Sequence, residues 1–310
     1  MLDYFLTVLA QVITLFLLMG VGFVLGRLGK VGGEAISQFT FLLLYIVAPC
    51  VVLETMQADV DPSLLPRLGE ALVLTLALYL CFSAAVLPFF RRVDGPTQTS
   101  LRFGCVYGNV GFMGLPLAEA VLGSQALIYA VITLVVFNVY SWIHGVLVMG
   151  GKRALSPRSA LINPGTVSLV LGLPFLLTGT RLPGSVQTAV GFLADLNTPL
   201  AMVVIGAQMA SVDLAAILRQ GKLFLAFAIR LVAMPLFTAL VLLPFHLDPL
   251  LYCTMVILSG APSAGLTSMF AQRFGQDTAA AAQLVSLSTL LSVVTLPLVA
   301  VLAQQLSALL

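Results

Sequence analysis

Gly108-Asn109-Val110-Gly111-Phe112-Met113-Gly114-Leu115-Pro116 interrupts an otherwise apolar run from Leu101 to Val121. A second apolar run, Leu250 to Phe270, is interrupted by Ser259-Gly260-Ala261-Pro262-Ser263-Ala264-Gly265-Leu266-Thr267. Proline lacks an amide hydrogen and glycine loses the most entropy in a helix, so neither stretch sustains an unbroken hydrogen-bond ladder. Hydrocarbon supplies no water to replace the missing bonds. Backbone freed at membrane depth must therefore be enclosed by protein, line a cavity or bind something.

Composition places these runs in hydrocarbon. Of 310 residues 60% are apolar and 8% charged, and the mean hydropathy is +1.10. A soluble domain carries about 25% charged residues, so the sequence predicts an all-α polytopic membrane protein with the lipid bilayer as its surroundings. The 14 Lys and Arg residues are spread along the chain, which argues against nucleic acid as a partner. Cys50, Cys81, Cys105 and Cys253 all fall in apolar runs without metal-ligand spacing, and read as small hydrophobes. The first run starts Met-Leu-Asp with no cation, and Phe5 to Leu25 exceeds the core of a cleaved signal, about 7–15 residues.

A spanning helix needs about 20 apolar residues. Ten runs qualify, at roughly 4–26, 35–57, 69–90, 101–121, 126–149, 163–179, 188–210, 222–244, 250–271 and 279–306. Turn residues punctuate them: Gly32-Gly33, Asp61-Pro62, Asp94-Gly95-Pro96, Ser156-Pro157, Leu182-Pro183-Gly184 and Asp248-Pro249. Cations in short loops mark the cytoplasmic side. The loops after the odd-numbered runs hold Arg27, Lys30, Arg91, Arg92, Arg102, Lys152, Arg153, Arg158, Arg219, Lys222 and Arg273. The opposite loops hold only Arg67 and Arg181, with Arg230 inside the eighth run. Both termini are therefore expected outside.

The halves echo each other. Pro49 corresponds to Pro199, Gly114 to Gly265, and Leu87-Pro88-Phe89 to Leu243-Pro244-Phe245, at offsets of 150, 151 and 156. Residues 1–150 and 160–310 each hold five runs. An odd number makes equivalent helices cross the bilayer in opposite senses, which is an inverted repeat. Paired breaks in corresponding runs of such a repeat point to a transporter's substrate site.

At these residues the chain resembles the auxin efflux carrier family, bacterial relatives of the plant PIN auxin exporters. The resemblance covers nearly the whole chain. It rests on Gly108 to Pro116, Asn163-Pro164, Ala261-Pro262-Ser263-Ala264, Phe274-Gly275-Gln276-Asp277, Ser288-Thr289-Leu290-Leu291-Ser292 and Thr295-Leu296-Pro297-Leu298. The resemblance implies ten transmembrane helices in two five-helix inverted repeats, divided into a scaffold and a transport domain. Helices 4 and 9 would cross where they unwind, with the substrate beside the crossing. It further implies alternating access, a homodimer formed through the scaffold, a bacterial inner membrane, and an organic anion such as malate, malonate or indole-3-acetate as substrate. One departure is Thr267, which stands where the first break has Pro116.

The broken runs supply anion chemistry without a buried cation. A helix N-terminus carries roughly half a positive charge and up to about four unpaired N–H groups. Gly108, Asn109, Gly111, Gly114, Pro116, Ser259, Pro262, Ser263 and Thr267 are the candidates for contact with the substrate, with Pro49 and Pro199 kinking the neighbouring runs. Kinks merely patched by adjacent helices are the plainer alternative. Arg230 has three readings: contact with substrate, a side chain snorkelling to the surface, or pairing with carbonyls. Asn138 suits interhelical glue or substrate contact equally; Asn197 and Gln208 read better as glue. Glu54, Asp195 and His144 are candidates for proton coupling, set against simple solvation at helix ends.

An enzyme is not expected. The two histidines sit near interfaces, no Walker phosphate loop occurs, and no cofactor is implied. A secondary transporter of a mono- or dicarboxylate is the reading. A transporter-like sensor or lipid-binding scaffold without flux is the alternative.

Overall fold

A computed structural model describes residues 2–57, 65–152, 154, 164–211 and 220–310. Asn163, Arg153, Arg158, Arg219 and the Asp61-Pro62 and Ser156-Pro157 turns lie outside them. Among the described residues the chain is helical, apart from one isolated antiparallel bridge. The helices are α1 Leu2–Arg27, α2 Gly33–Met56, α3 Leu65–Ala85, α4a Gly95–Val106, α4b Val110–Leu122 and α5 Ala126–Gly150. The second half continues with α6 Pro164–Thr178, α7 Gly184–Ala210, α8 Gly221–Phe245, α9a Pro249–Ser259, α9b Leu266–Arg273 and α10 Thr278–Ser307. Seven helices among the described residues are long and apolar enough to cross a membrane; α6 and the halves of α4 and α9 are shorter.

Two expected boundaries move. The third run stops at Ala85 rather than residue 90, because Leu87-Pro88-Phe89 folds into a turn ending on Phe90 at φ 61°. The fourth begins earlier, at Gly95, where the Asp94 carboxylate accepts from the Thr97 amide and Pro96 fills the first turn. Its opening residues are polar, so an apolar window overlooks them. Leu243-Pro244-Phe245 forms the matching last turn of α8, a tight 3-10 turn that ends on His246 at φ 48°. Phe90 and His246 are the two non-glycine residues with positive φ among those described. Such a conformation is uncommon for a side-chain-bearing residue.

Proline also shapes the helices from within. Pro49, Pro116 and Pro235 each follow a widened π-turn, at Leu43–Val47, Val110–Gly114 and Ile229–Ala233. A proline denies its helix one donor and crowds the turn before it, and widening that turn relieves both problems.

Bonds between distant elements define two ends of the bundle. At one end Gln57 accepts from the Leu182 amide, and Arg67 pairs with Asp248 at 3.0 Å. At the other Thr97 donates to Asp277, Gln276 to the Met149 carbonyl, and Gln220 to Gln283. The tightest packing joins α1 to α7. Gly22 and Gly26 face Val203, Ala207 and Ala210, and Gly206 faces the Met19 carbonyl. A Cβ on Gly22 or Gly206 would overlap the opposing backbone. Small residues four apart let membrane helices approach this closely. Leu17, Val21, Val73, Leu80, Leu240 and Val294 turn outward, as lipid-facing residues do.

Candidate functional site

The two breaks are bonded to each other. The Asn109 amide donates to the Pro262 carbonyl at 2.6 Å, and the Ala264 amide to the Tyr107 carbonyl at 2.9 Å. Gly108 and Ser263 form the antiparallel bridge between them. Extended backbone thus finds its partners in the other break, the enclosure that hydrocarbon demands. Four half-helix ends meet here, two negative and two positive.

The negative ends are closed by Arg230. The residue is 2% exposed. Nε donates to the Ala261 carbonyl at 2.8 Å and Nη2 to Ser259 at 2.8 Å. Nη1 donates to Cys105 at 3.2 Å and Val106 at 3.1 Å. These are carbonyls that α4a and α9a leave unsatisfied at their C-termini. Two half-charges of helix dipole balance one arginine, so no carboxylate is needed. The π-turn of α8 carries Arg230 into this position. Gly108 makes room for it, since a Cβ there would collide with the guanidinium. Of the three readings of Arg230, carbonyl pairing is the arrangement found.

The positive ends open into a cavity of about 100 Å³. Asn109, Val110, Gly111 and Phe112 line it from α4b, and Ala264, Gly265 and Leu266 from α9b. Asn109, 5% exposed, caps α4b by accepting from the Phe112 amide at 3.2 Å. Its own carbonyl accepts from Met113 and Gly114. Among the described residues no hydrogen bond uses the amides of Gly111, Gly265 or Leu266. Asn138 of α5 and Asn197 and Gln208 of α7 add side-chain amides to the wall. Asn197 also donates to the Gly111 carbonyl at 3.4 Å. No charged side chain lines the cavity among the described residues.

The sequence candidates divide accordingly. Asn109, Gly111, Asn138, Asn197 and Gln208 meet at the cavity, and Asn197 also makes the interhelical bond expected of it, to the Gly111 carbonyl. The hydroxyls of the second break turn away from it. Ser263 donates to the Gly104 carbonyl, and its amide is held by Ser288. Ser259 donates to Val256. Thr267 packs its methyl near Gly104, with its hydroxyl buried and unpaired. Gly114 admits Leu258 of α9a, and Pro116 opens the regular part of α4b. Pro262 supplies the carbonyl that Asn109 binds. Pro49 stands beside the lining residues Ala48 and Val51, and Pro199 two residues after Asn197. The α5 residue His144 accepts or donates at Nδ1 with the Tyr107 hydroxyl, 2.8 Å away, and stacks on Tyr140.

Three features escape a sequence reading. Thr40, Trp142 and Ser168 line the cavity from helices without breaks. Glu119 of α4b lies close enough to Glu54 and Asp195 for their charges to interact. Asp195 sits inside α7 rather than at its end, because that helix starts at Gly184. A polar residue within an apolar run was the available signal for Thr40, Ser168 and Glu119.

A family model described as "Membrane transport protein" matches residues 7–157 and 153–300. The "Putative malonate transporter" of Rhizobium meliloti (strain 1021) is 24% identical over 297 residues, covering 92% of each chain. An "Uncharacterized transporter" of Methanothermobacter thermautotrophicus is 26% identical over 301 residues, covering 93% of this chain and 95% of its own. The chain belongs to the membrane transport protein family, the auxin efflux carrier family that its broken helices resemble.

Proposed function

We infer that the protein is a secondary carrier that moves a small organic anion, a malonate-like mono- or dicarboxylate, by alternating access. The observation that carries this reading is the uncharged cavity walled by two helix N-termini, three unengaged amides and the side chains of Asn109, Asn138, Asn197 and Gln208. Two half-charges amount to roughly one unit of positive potential, enough to hold a carboxylate while leaving it free to depart. A cavity of about 150 Å³ takes benzene, so the volume of about 100 Å³ suits a short-chain acid. The name of the Rhizobium relative points the same way.

The cavity lies between two groups of helices. α2, α6 and α7 wall one side, and α4b, α5 and α9b the other. The close α1–α7 seam suits a rigid scaffold, and Arg230 ties α8, α4a and α9a into a moving unit. The matched turns at Phe90 and His246 support an inverted repeat of residues 1–150 and 160–310, with ten crossings in all. From the breaks the cavity runs toward Thr40, Trp142, Gln208 and Met269, the end that the cation asymmetry assigns to the cytoplasm. This conformation is therefore the one that faces inward in a bacterial inner membrane, with both termini outside and a homodimer formed through the scaffold. A potential of 100 mV, negative inside, contributes about 2.3 kcal/mol per charge toward anion export. Uptake needs a coupled proton, for which Glu54, Asp195 and His144 are the candidates.

The test is radiolabelled malonate flux in proteoliposomes, with two substitutions at one position. Asparagine and aspartate cap helices about equally well, so Asn109→Asp keeps the fold while setting a negative charge at the cavity. It is expected to unfold within about 1 kcal/mol of wild type and to lose at least tenfold in apparent malonate affinity. Asn109→Ala loses both cap and affinity. Unchanged affinity in Asn109→Asp removes the site, and saturable binding without flux makes the protein a sensor.

A further inference from the structure

One cation stands at the rim of the cavity with no acidic partner among the described residues. Arg273 ends α9b, one turn beyond Met269, and Met269 lines the cavity. Its guanidinium carbon lies 5.6 Å from the ring centroid of Trp142 and 5.5 Å from that of Phe274. Trp142 is itself a wall of the cavity, and Phe270 braces it edge-on at 5.5 Å. Arg273 is exposed, and among the described residues no carboxylate pairs with it. Stacking on two aromatic faces holds the guanidinium in place without neutralising it.

The geometry points to Arg273 as the loading residue of the carrier. Stacked on Trp142, it concentrates anions at the inner rim and favours doubly charged ones before they reach the uncharged cavity. A unit charge about 6 Å away in a water-like medium raises the local concentration of a monovalent anion about threefold at low salt, and of a divalent one about ninefold. The helix ends deeper in the site recognise one carboxylate at a time. Discrimination between mono- and dianions therefore belongs to the rim. This assignment builds on the carrier reading for its purpose, but its physical content is tested separately.

The chain has one tryptophan, so intrinsic fluorescence reports from the rim without a label. Iodide and acrylamide quench indole from solution, and only iodide is charged. In purified protein at low salt, Arg273→Gln is expected to lower the iodide quenching constant about threefold and leave the acrylamide constant unchanged. Arg273→Lys restores most of the iodide effect. An unchanged iodide constant, or iodide and acrylamide constants that move in proportion, overturns the assignment, since the arginine would then merely shield the ring. In a parallel arm, malonate titrated against Trp142 fluorescence should half-saturate at roughly ninefold higher concentration in Arg273→Gln. Wild-type protein blind to malonate and to other carboxylates sinks the carrier reading but leaves the iodide result standing.

Discussion

Arg230 shows how a buried charge is tolerated without a counterion. Four carbonyls from two helix ends receive its hydrogen bonds, and Gly108 leaves the space it occupies. Arg230→Met would strand those carbonyls in an apolar interior. Breaking a buried charged network costs about 3–5 kcal/mol. We expect a large fall in the thermal unfolding midpoint in detergent, partly recovered in Arg230→Lys, whose ammonium has three donors for four acceptors. A midpoint unmoved by Arg230→Met would show that the pairing contributes nothing. The sequence marked Arg230 as an intramembrane cation, yet its role depended on which way the carbonyls of residues 105, 106, 259 and 261 turned. Ser263 and Thr267 teach the same lesson in reverse: the Ser263 hydroxyl, read as a substrate donor, binds the Gly104 carbonyl, and that of Thr267 is buried without a partner.

Helices 4 and 9 were legible because glycine and proline act locally, through missing donors and missing side chains. The α1–α7 seam was not, since Gly20, Gly22 and Gly26 look alike in a run of apolar residues. Only packing separates them: a Cβ on Gly20 meets open space, and one on Gly22 meets the Val203 backbone. Gly22→Leu is expected to destabilise the protein by about 1–3 kcal/mol or more through overpacking. Gly20→Ala should stay within about 0.5 kcal/mol of wild type. Equal unfolding midpoints for the two variants would refute the close approach. Helix starts were misplaced where the first turn is polar and capped, as at Asp94 and Thr97, because hydropathy does not register a capping bond.

Considered whole, the molecule has one positive end and one end that gathers carboxylates. Exposed Glu54, Glu119 and Asp195 belong to α2, α4b and α7 on the side of the breaks away from Trp142 and Arg273. On the proposed carrier reading, an anion leaving the cavity in that direction would meet repulsion, which favours release over capture. Impermeant maleimide tests the orientation in spheroplasts of a Cys81→Ala background. Ser124→Cys, exposed between α4b and α5, should react from outside, whereas Lys152→Cys should react only after permeabilisation. Labelling in the reverse order inverts the molecule, and labelling of both from one side removes the alternation of helices.

Hydrophobic run length, loop charge and helix-breaking residues act over about 20 residues or fewer. Membrane class and the two breaks were therefore written in the chain. The cavity, its uncharged wall and the partition of the four half-helix ends were not. They arise from residues more than 100 positions apart, such as Asn109 with Pro262 and Cys105 with Arg230. Which dipole end is sealed and which is left open depends on where one side chain comes to rest, and that is a property of packing in three dimensions.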